Sequence, residues 1–414
     1  MFLVFLFVVQ TGFSQNKPRC ATNIPISEKD RLRKSLFEQK ISEHIDKQKA
    51  NLRLAENSII RIPVVVHVIH NQSNNAIAGN NIPDEQIFSQ IKVLNEDYRK
   101  KVGTMGWNTN PVGADMEIEF ALASIDPDGN PSNGITRTYN STPYFDLIND
   151  RYKLSSLAYW DSNKYLNIWV ASYDNNYIGY GEFPGGAIDG LEGEDSDELI
   201  DGVFIDNLVF GSNSGLNTSG LYRFGRTTTH EIGHWFGLIH TWGDSFCGDD
   251  YCNDTPQTES SNLATTCKVK YSNCSGTKTL NMIENYMDYS PDTCMNIFTN
   301  NQKQRVRAVL TLSKRRARLI KNAEFQLPKA DKLTVYLYPN PTTNDNIQLQ
   351  VMLPDFQDIT VEILDILGKT VYTKTYLDYP STILKLTETN LRGGMYFVRV
   401  SSKNESVITR LVVI

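Results

Sequence analysis

The 414-residue sequence predicts a mixed α/β (α+β) domain, with a twisted mixed sheet and a histidine-bearing helix, followed by a small all-β immunoglobulin-like sandwich. Three observations predict it. Strand-like and helix-like patterns alternate between residues 59 and 211, the order that builds an α/β layer. The stretch HEIGHWFGLIH, residues 230–240, then concentrates three of the chain's six histidines in one helix and its exit. Beyond residue 333, short alternating strands separated by turn residues take over.

The N-terminal run MFLVFLFVVQTGFSQ has the length of a signal-peptide core, with Gly12 and Ser14 at cleavage spacing, so residues 1–14 are expected to be a signal peptide. A buried N-terminal strand is the alternative. No later segment is apolar enough to cross a bilayer, and none is expected to. Residues 15–57 form the next unit, a prosegment. From Ser27, a candidate N-cap, Leu32, Leu36, Ile41 and Ile45 recur at near-helical spacing. This arm holds ten Lys/Arg against six Asp/Glu, a charge of +4 that leaves −10 on the remainder. Complementary docking of a basic arm on an acidic body is one reading of that split, and an ordinary solvated helix is the other.

The expected catalytic unit spans residues 58–322. IIRIPVVVHVIH reads as a buried strand, and Ile87, Ile91, Leu94 and Tyr98 share one face of a following helix. Met116, Ile118, Phe120 and Leu122 then alternate as in a half-buried strand, and KYLNIWVASY and GVFIDNLVFG predict two more, the latter as the sheet edge along which an extended segment could add. Residues 302–322 predict one amphipathic helix, with Val306, Val309, Leu310, Ala317 and Ile320 inward and Lys/Arg outward. A linker at 323–332 precedes the β-unit, residues 333–414.

The net charge of −6 lacks the basic footprint that phosphate backbones require, so nucleic acid is excluded as a partner. Cys247, Cys252, Cys267, Cys274 and Cys294 share one polar stretch, while Cys20 stands apart. Without a CxxC pair they read as disulfides of an exported protein, and one of the five is either unpaired or joined to Cys20.

On a helix, positions four apart share a face, so His230 and His234 can hold one zinc ion. Gly237 lets the chain turn, His240 arrives as third ligand, and Glu231 stands beside the metal as general base toward water. The rival reading, three histidines packed in a core, would bury polar rings without partners. His67 and His70 are read as strand histidines and His44 as solvated.

With NYMDYSPDTC at 285–294, HEIGHWFGLIH resembles the pappalysin family of metzincin-type zincins. IPVVVHVIH, SQIKVLNEDYR, GITR and CGDDYCNDTPQT support the resemblance, which spans about residues 58–322. It implies a zinc endopeptidase acting on peptide bonds of protein substrates, with Met287 flooring the site and Tyr289 stabilising the oxyanion. For Tyr289, a packing aromatic is the alternative. The resemblance further implies Cys247–Cys274 and Cys267–Cys294 disulfides, with a Cys247–Cys252 link competing. It also implies a calcium loop using Asp250 and the Thr255 carbonyl, against a plain acidic loop. Several relatives prefer Arg or Lys after the cleaved bond, using an acid between the methionine turn and the last cysteine, where this chain has Asp292.

PRC at 18–20 is similar to the cysteine-switch elements of metzincin zymogens, with Cys20 expected on zinc in the latent form. A Cys20–Cys252 disulfide is the alternative. Finally YPNPT, ILDILGKTVY, LRGGMYFVRV and ITRLVVI resemble the type IX secretion sorting domain. That implies export through the periplasm, by that machinery, to the medium or cell surface. An adhesive sandwich is the alternative for this unit, and a surface adhesin with an inactive zinc site is the alternative for the whole chain.

Overall fold

The computed structural model describes residues 19–22, 28–50, 59–174, 177–184, 198–326, 330–344, 346–354, 356–386 and 389–414. The expected signal peptide lies outside them. Helix α1 (Glu28–Ala50) comes first, then strand β1 (Ile60–His70), helix α2 (Asp84–Tyr98), β2 (Ile118–Leu122), β3 (Ile135–Tyr139), α3 (Arg151–Leu157), β4 (Leu166–Ala171), β5 (Gly179–Gly181) and β6 (Gly202–Asp206).

The strands form one sheet in the order β2-β1-β4-β6-β5, with β3 also pairing with β1. All pairings are parallel except β5 on β6. β1 is central, and its last nine residues are all buried, as a strand covered on both faces requires. α2 covers one face through Ile87, Ile91, Leu94 and Tyr98.

Two expectations need correction here. The segment 202–211 is not the sheet edge: its strand stops at Asp206 and lies between β4 and β5. The edge is β5, Gly-Tyr-Gly, too short and too glycine-rich to carry a hydrophobic period. Residues 302–322 are not one helix either. They divide into α5 (Asn300–Leu312) and α6 (Lys314–Gln326), after helix α4 (Arg226–Trp235) and the small hairpin β7 (Tyr271–Ser272) and β8 (Thr279–Leu280). Ser313, at ψ 110°, breaks the helical path. Two of the arginines expected to be solvated, Arg305 of α5 and Arg316 of α6, are buried. Arg316 lies over the Trp235 ring, 3.8 Å from its centroid, and pairs with Asp201, which also receives Arg315. α6 also runs four residues into the expected linker.

The charge expectation for the arm is likewise reversed at its contact. α1 packs on α5 through Phe37, Ile41, Ala308 and Val309, and the arm's own acid, Glu38, forms a bidentate buried ion pair with Arg305.

The C-terminal unit has two antiparallel sheets. One is β13 (Thr382–Leu386), β10 (Ile347–Met352) and β9 (Thr334–Tyr338); the other is β12 (Thr370–Tyr379), β11 (Gln357–Leu364), β14 (Gly394–Ser401) and β15 (Ser406–Val413). Alternating residues such as Leu349, Val351, Val361, Ile363, Val398 and Val400 fill the space between them. Tyr379 packs edge-on against Phe88 of α2, centroids 5.3 Å apart. Among the described residues, no helix is long and apolar enough to cross a membrane.

Candidate metal centre

α4 is wholly buried beneath β5 and β6. It places His230 and His234 one turn apart on one face and ends at Trp235. Gly237 then reverses the chain at φ +83°, a conformation that favours glycine, and His240 folds back.

The three Nε2 atoms form a triangle with sides of 3.1, 3.1 and 3.0 Å. Each Nδ1 faces an oxygen acceptor: Tyr286 O at 2.7 Å, Leu238 O at 2.9 Å and Asp244 Oδ1 at 2.6 Å, respectively. If each Nδ1 carries the ring hydrogen, all three Nε2 lone pairs point inward. Burial, and then the positive charge His234 and His240 would carry, pushes His230 well below the usual histidine range, which keeps it a neutral acceptor.

Three lone pairs this close repel unless a cation lies between them. Their spacing is near the edge of about 3.3 Å for a tetrahedron with Zn–N bonds of about 2.0–2.1 Å. Cys20 supplies a fourth atom: its Sγ and the three imidazole nitrogens all lie within 4.8 Å of one another. Burial, then the Glu231 carboxylate, pushes the Cys20 thiol well up, so a thiolate here needs a compensating cation. The residues fit zinc.

Glu231 projects beside this cluster. Its Oε2 accepts from Cys20 Sγ at 3.3 Å, and its buried Oε1 meets no hydrogen-bond partner among the described residues. Burial raises its carboxyl to about 8, against the pull of the Cys20 hydrogen bond, the Arg19 charge and the Gly181 N–H. Tyr289 packs on His240 and Trp242, and its hydroxyl donates to Cys20 O at 3.4 Å. Met287 lies under α4: a Cβ at Gly233 would sit 2.4 Å from its Sδ. Only glycine leaves room for that sulfur between the two helical histidines.

Cys20 pairs with the edge strand, Ala21 N donating to Gly179 O at 3.0 Å in a parallel bridge. Arg19 points the other way, donating to Ser290 O at 2.8 Å and Asp292 Oδ1 at 3.1 Å. Cys247 joins Cys274 and Cys267 joins Cys294, while Cys20 and Cys252 are both free and buried. Neither the Cys247–Cys252 nor the Cys20–Cys252 link forms. Asp250 turns inward, both carboxylate oxygens accepting from Thr255 Oγ1 at 2.8 and 2.7 Å, and burial raises it to about 7. His67 and His70 are buried in β1, away from the metal ligands.

Sequence reasoning did not reach Asp244, Arg19 or the buried Asp97 network. Asp97 accepts from Arg226 Nη2 at 3.1 Å, Thr229 Oγ1 at 2.7 Å and Tyr286 OH at 2.8 Å, tying α2 to α4 and to the methionine turn. Asp244 follows His240 by four residues, but across a non-helical turn, where that spacing carries no signal.

The family model described as "Pregnancy-associated plasma protein-A" peptidase matches residues 152–311, and that for the "Secretion system C-terminal sorting domain" matches 336–414. An "Extracellular metalloprotease" from Verticillium alfalfae is 33% identical over 253 residues, covering 60% of this chain and 76% of that protein. The chain belongs to the pappalysin family. Two solved pappalysin structures from Tannerella forsythia are similar to it. A promirolysin mutant shares 35% identity at TM-score 0.63, covering 75% of this chain and 100% of that one. Mature mirolysin in complex with a cleaved peptide shares 38% at 0.57, covering 66% and 99%. This pappalysin is a secreted or cell-surface zinc metalloendopeptidase bearing a type IX sorting domain, and the adhesin alternative falls away.

Proposed function

We propose that the full chain is the latent form of this endopeptidase, built as signal peptide 1–14, prosegment 15–57, catalytic domain 58–322, linker 323–332 and sorting domain 333–414. The observation that carries the proposal is the four-atom cluster of His230, His234, His240 and Cys20 within 4.8 Å. The three histidines would hold zinc, with Cys20 filling the position that water needs. Zinc held there supplies Lewis acidity, making water more acidic and a peptide carbonyl more electrophilic.

Once Cys20 leaves, Glu231 Oε1 and Oε2 are free to take the proton of the attacking water and return it to the leaving amine. The Tyr289 hydroxyl, released from Cys20 O, donates to the negative charge that develops on the carbonyl oxygen. Met287 keeps α4 in place beneath the histidines.

The direction of the N-terminal segment supports latency. A substrate with a basic residue after the cleaved bond would put its arginine against Asp292 and the preceding residue over the metal. Here Arg19 occupies Asp292, but the following residue, Cys20, lies over the metal. The segment therefore runs in the reverse sense and offers Glu231 no scissile bond. The same ion pair supports a preference for Arg or Lys just after the cleaved bond. Calcium at Asp250 and Thr255 rests on the resemblance alone. Among the described residues, the only group of three or more His, Cys, Asp or Glu ligands is the one at Cys20.

The test is casein cleavage by protein freed of residues 1–57, with and without chelator, beside Glu231→Ala. Activity that needs about one zinc per chain and vanishes in the variant is expected. Folded protein that is active yet carries no zinc would overturn the reading.

A further inference from the structure

The three ligand histidines differ in where their Nδ1 acceptors come from. Leu238 O and Asp244 Oδ1, which face His234 and His240, each lie four residues along the chain from the ring they meet. His230 instead faces Tyr286 O, 56 residues away, at 2.7 Å. The aim of its Nε2 at the metal therefore depends on how the methionine turn sits against α4.

One buried carboxylate spans that gap. Asp97, near the end of α2, accepts at Oδ2 from Thr229 Oγ1 at 2.7 Å, on the residue before His230. Its Oδ1 accepts from Tyr286 OH at 2.8 Å, on the residue whose carbonyl meets His230 Nδ1. Arg226 Nη2 also reaches Oδ1, at 3.1 Å, and balances a charge that burial would otherwise penalise. Tyr286 has two further anchors: its N donates to Ile297 O at 3.1 Å, and its ring packs on Phe298, centroids 4.7 Å apart. Neither reaches α4. The Met287 contact beneath Gly233 does, but it is apolar and lacks the direction that a hydrogen bond has.

We infer that Asp97 is a positioning residue for the metal: by bridging Thr229 and Tyr286, it holds the Tyr286 carbonyl where it aims His230 Nε2 inward. Groups that orient a metal-bound imidazole in this way raise the affinity of the site. The inference rests on the three histidines holding the metal, and it is independent of latency.

Asp97→Asn strands Arg226 in the core without its counter-charge and is expected to fold poorly, so the test cuts the bridge one hydroxyl at a time. Tyr286→Phe removes one arm and keeps the carbonyl; Thr229→Val removes the other. Tyr98→Phe is the control for loss of a buried hydroxyl, since Tyr98 OH donates to Thr229 O instead, at 3.1 Å. Parent and variants are full chains carrying Glu231→Ala, loaded with cobalt(II) for its visible spectrum and, separately, with zinc. Tyr286→Phe and Thr229→Val should each shift the cobalt bands. Each should also speed zinc loss to excess chelator by about fivefold, short of the roughly tenfold to hundredfold change at a group bonded to the imidazole itself. Tyr98→Phe should do neither, although its melting temperature falls. Spectra and zinc loss like the parent's in Tyr286→Phe or Thr229→Val, or an equal effect in Tyr98→Phe, overturn the role of Asp97. A folded parent that binds neither ion overturns the metal reading itself.

Discussion

Arg19 and Asp292 form an ion pair with both side chains fully buried, Nη2 to Oδ1 3.1 Å. The other carboxylate oxygen, Oδ2, accepts from Phe224 N at 2.9 Å and Arg226 N at 3.2 Å, at the start of α4. Burial pushes Asp292 up, while the Arg19 and then the Arg226 charges pull it down. One oxygen thus secures the histidine helix, and the other meets a guanidinium from the segment proposed to leave. Without Arg19, the second oxygen faces a socket built for a cation.

Asp292→Asn should keep the contacts to α4 but lose the charge. In the matured protein, kcat/KM for peptides with Arg after the cleaved bond should fall about tenfold to a hundredfold relative to matched Leu peptides, the worth of a charge-assisted hydrogen bond. Equal loss on both peptides would assign Asp292 to structure alone.

Latency should depend on Cys20 more than on any other side chain of the arm. Cys20→Ala removes the one ligand that would tie the segment to the metal, leaving only the Arg19 and Glu38 contacts to hold it, so the segment vacates the cleft sooner. Activity should appear without the lag of the parent chain, in a continuous fluorogenic assay, with kcat after maturation unchanged. A lag equal to the parent's would remove the switch.

What the sequence revealed and what it hid divide along one physical line. The spacing of His230, His234 and Glu231 is legible because a helix has a fixed period, and the chain's apolar pattern announces the helices and strands that bury large faces. Contacts made between distant segments leave no period. Glu38 and Arg305 stand 267 residues apart, and Asp201 and Arg316 stand 115 apart, so two arginines that look solvated are buried. β5 escapes notice because its two glycines leave room for Glu231: a Cβ at Gly179 would sit 2.6 Å from Oε1, and one at Gly181 2.2 Å from the Glu231 carbonyl oxygen. The need for an open approach to the catalytic carboxylate erases the β-pattern there.

Asp244 should act through His240. Its Oδ1 lies 2.6 Å from Nδ1, fixing the ring and raising the basicity of the nitrogen that faces the metal. Asp244→Asn should lower zinc affinity about tenfold to a hundredfold, read by competition with a chromophoric chelator, with the melting temperature of zinc-saturated protein little changed. Unaltered affinity would reduce the contact to a surface bond.

His67 sets an acid limit on the catalytic fold. It lies in the core of the sheet, with Nδ1 2.7 Å from Thr136 Oγ1 and Nε2 2.8 Å from Asn167 Oδ1, and with Trp169 5.6 Å away between ring centroids. Burial lowers it from 6.5 to about 4, against a small opposing pull from Asn167. Between those values the unfolded chain binds a proton that the folded chain refuses, so stability falls as pH drops from about 6.5 towards 4 and is fully present above that window. A shift of this size corresponds to about 3 kcal/mol at the acid end. Glu182, raised to about 7 by burial, and Asp250 act in the opposite sense, losing stability as pH rises, so the parent's raw profile mixes the two. The difference between parent and His67→Gln isolates the histidine. Denaturant midpoints measured from pH 7.5 to 4 should fall more steeply in the parent, and parallel curves would show that His67 takes up no proton on unfolding.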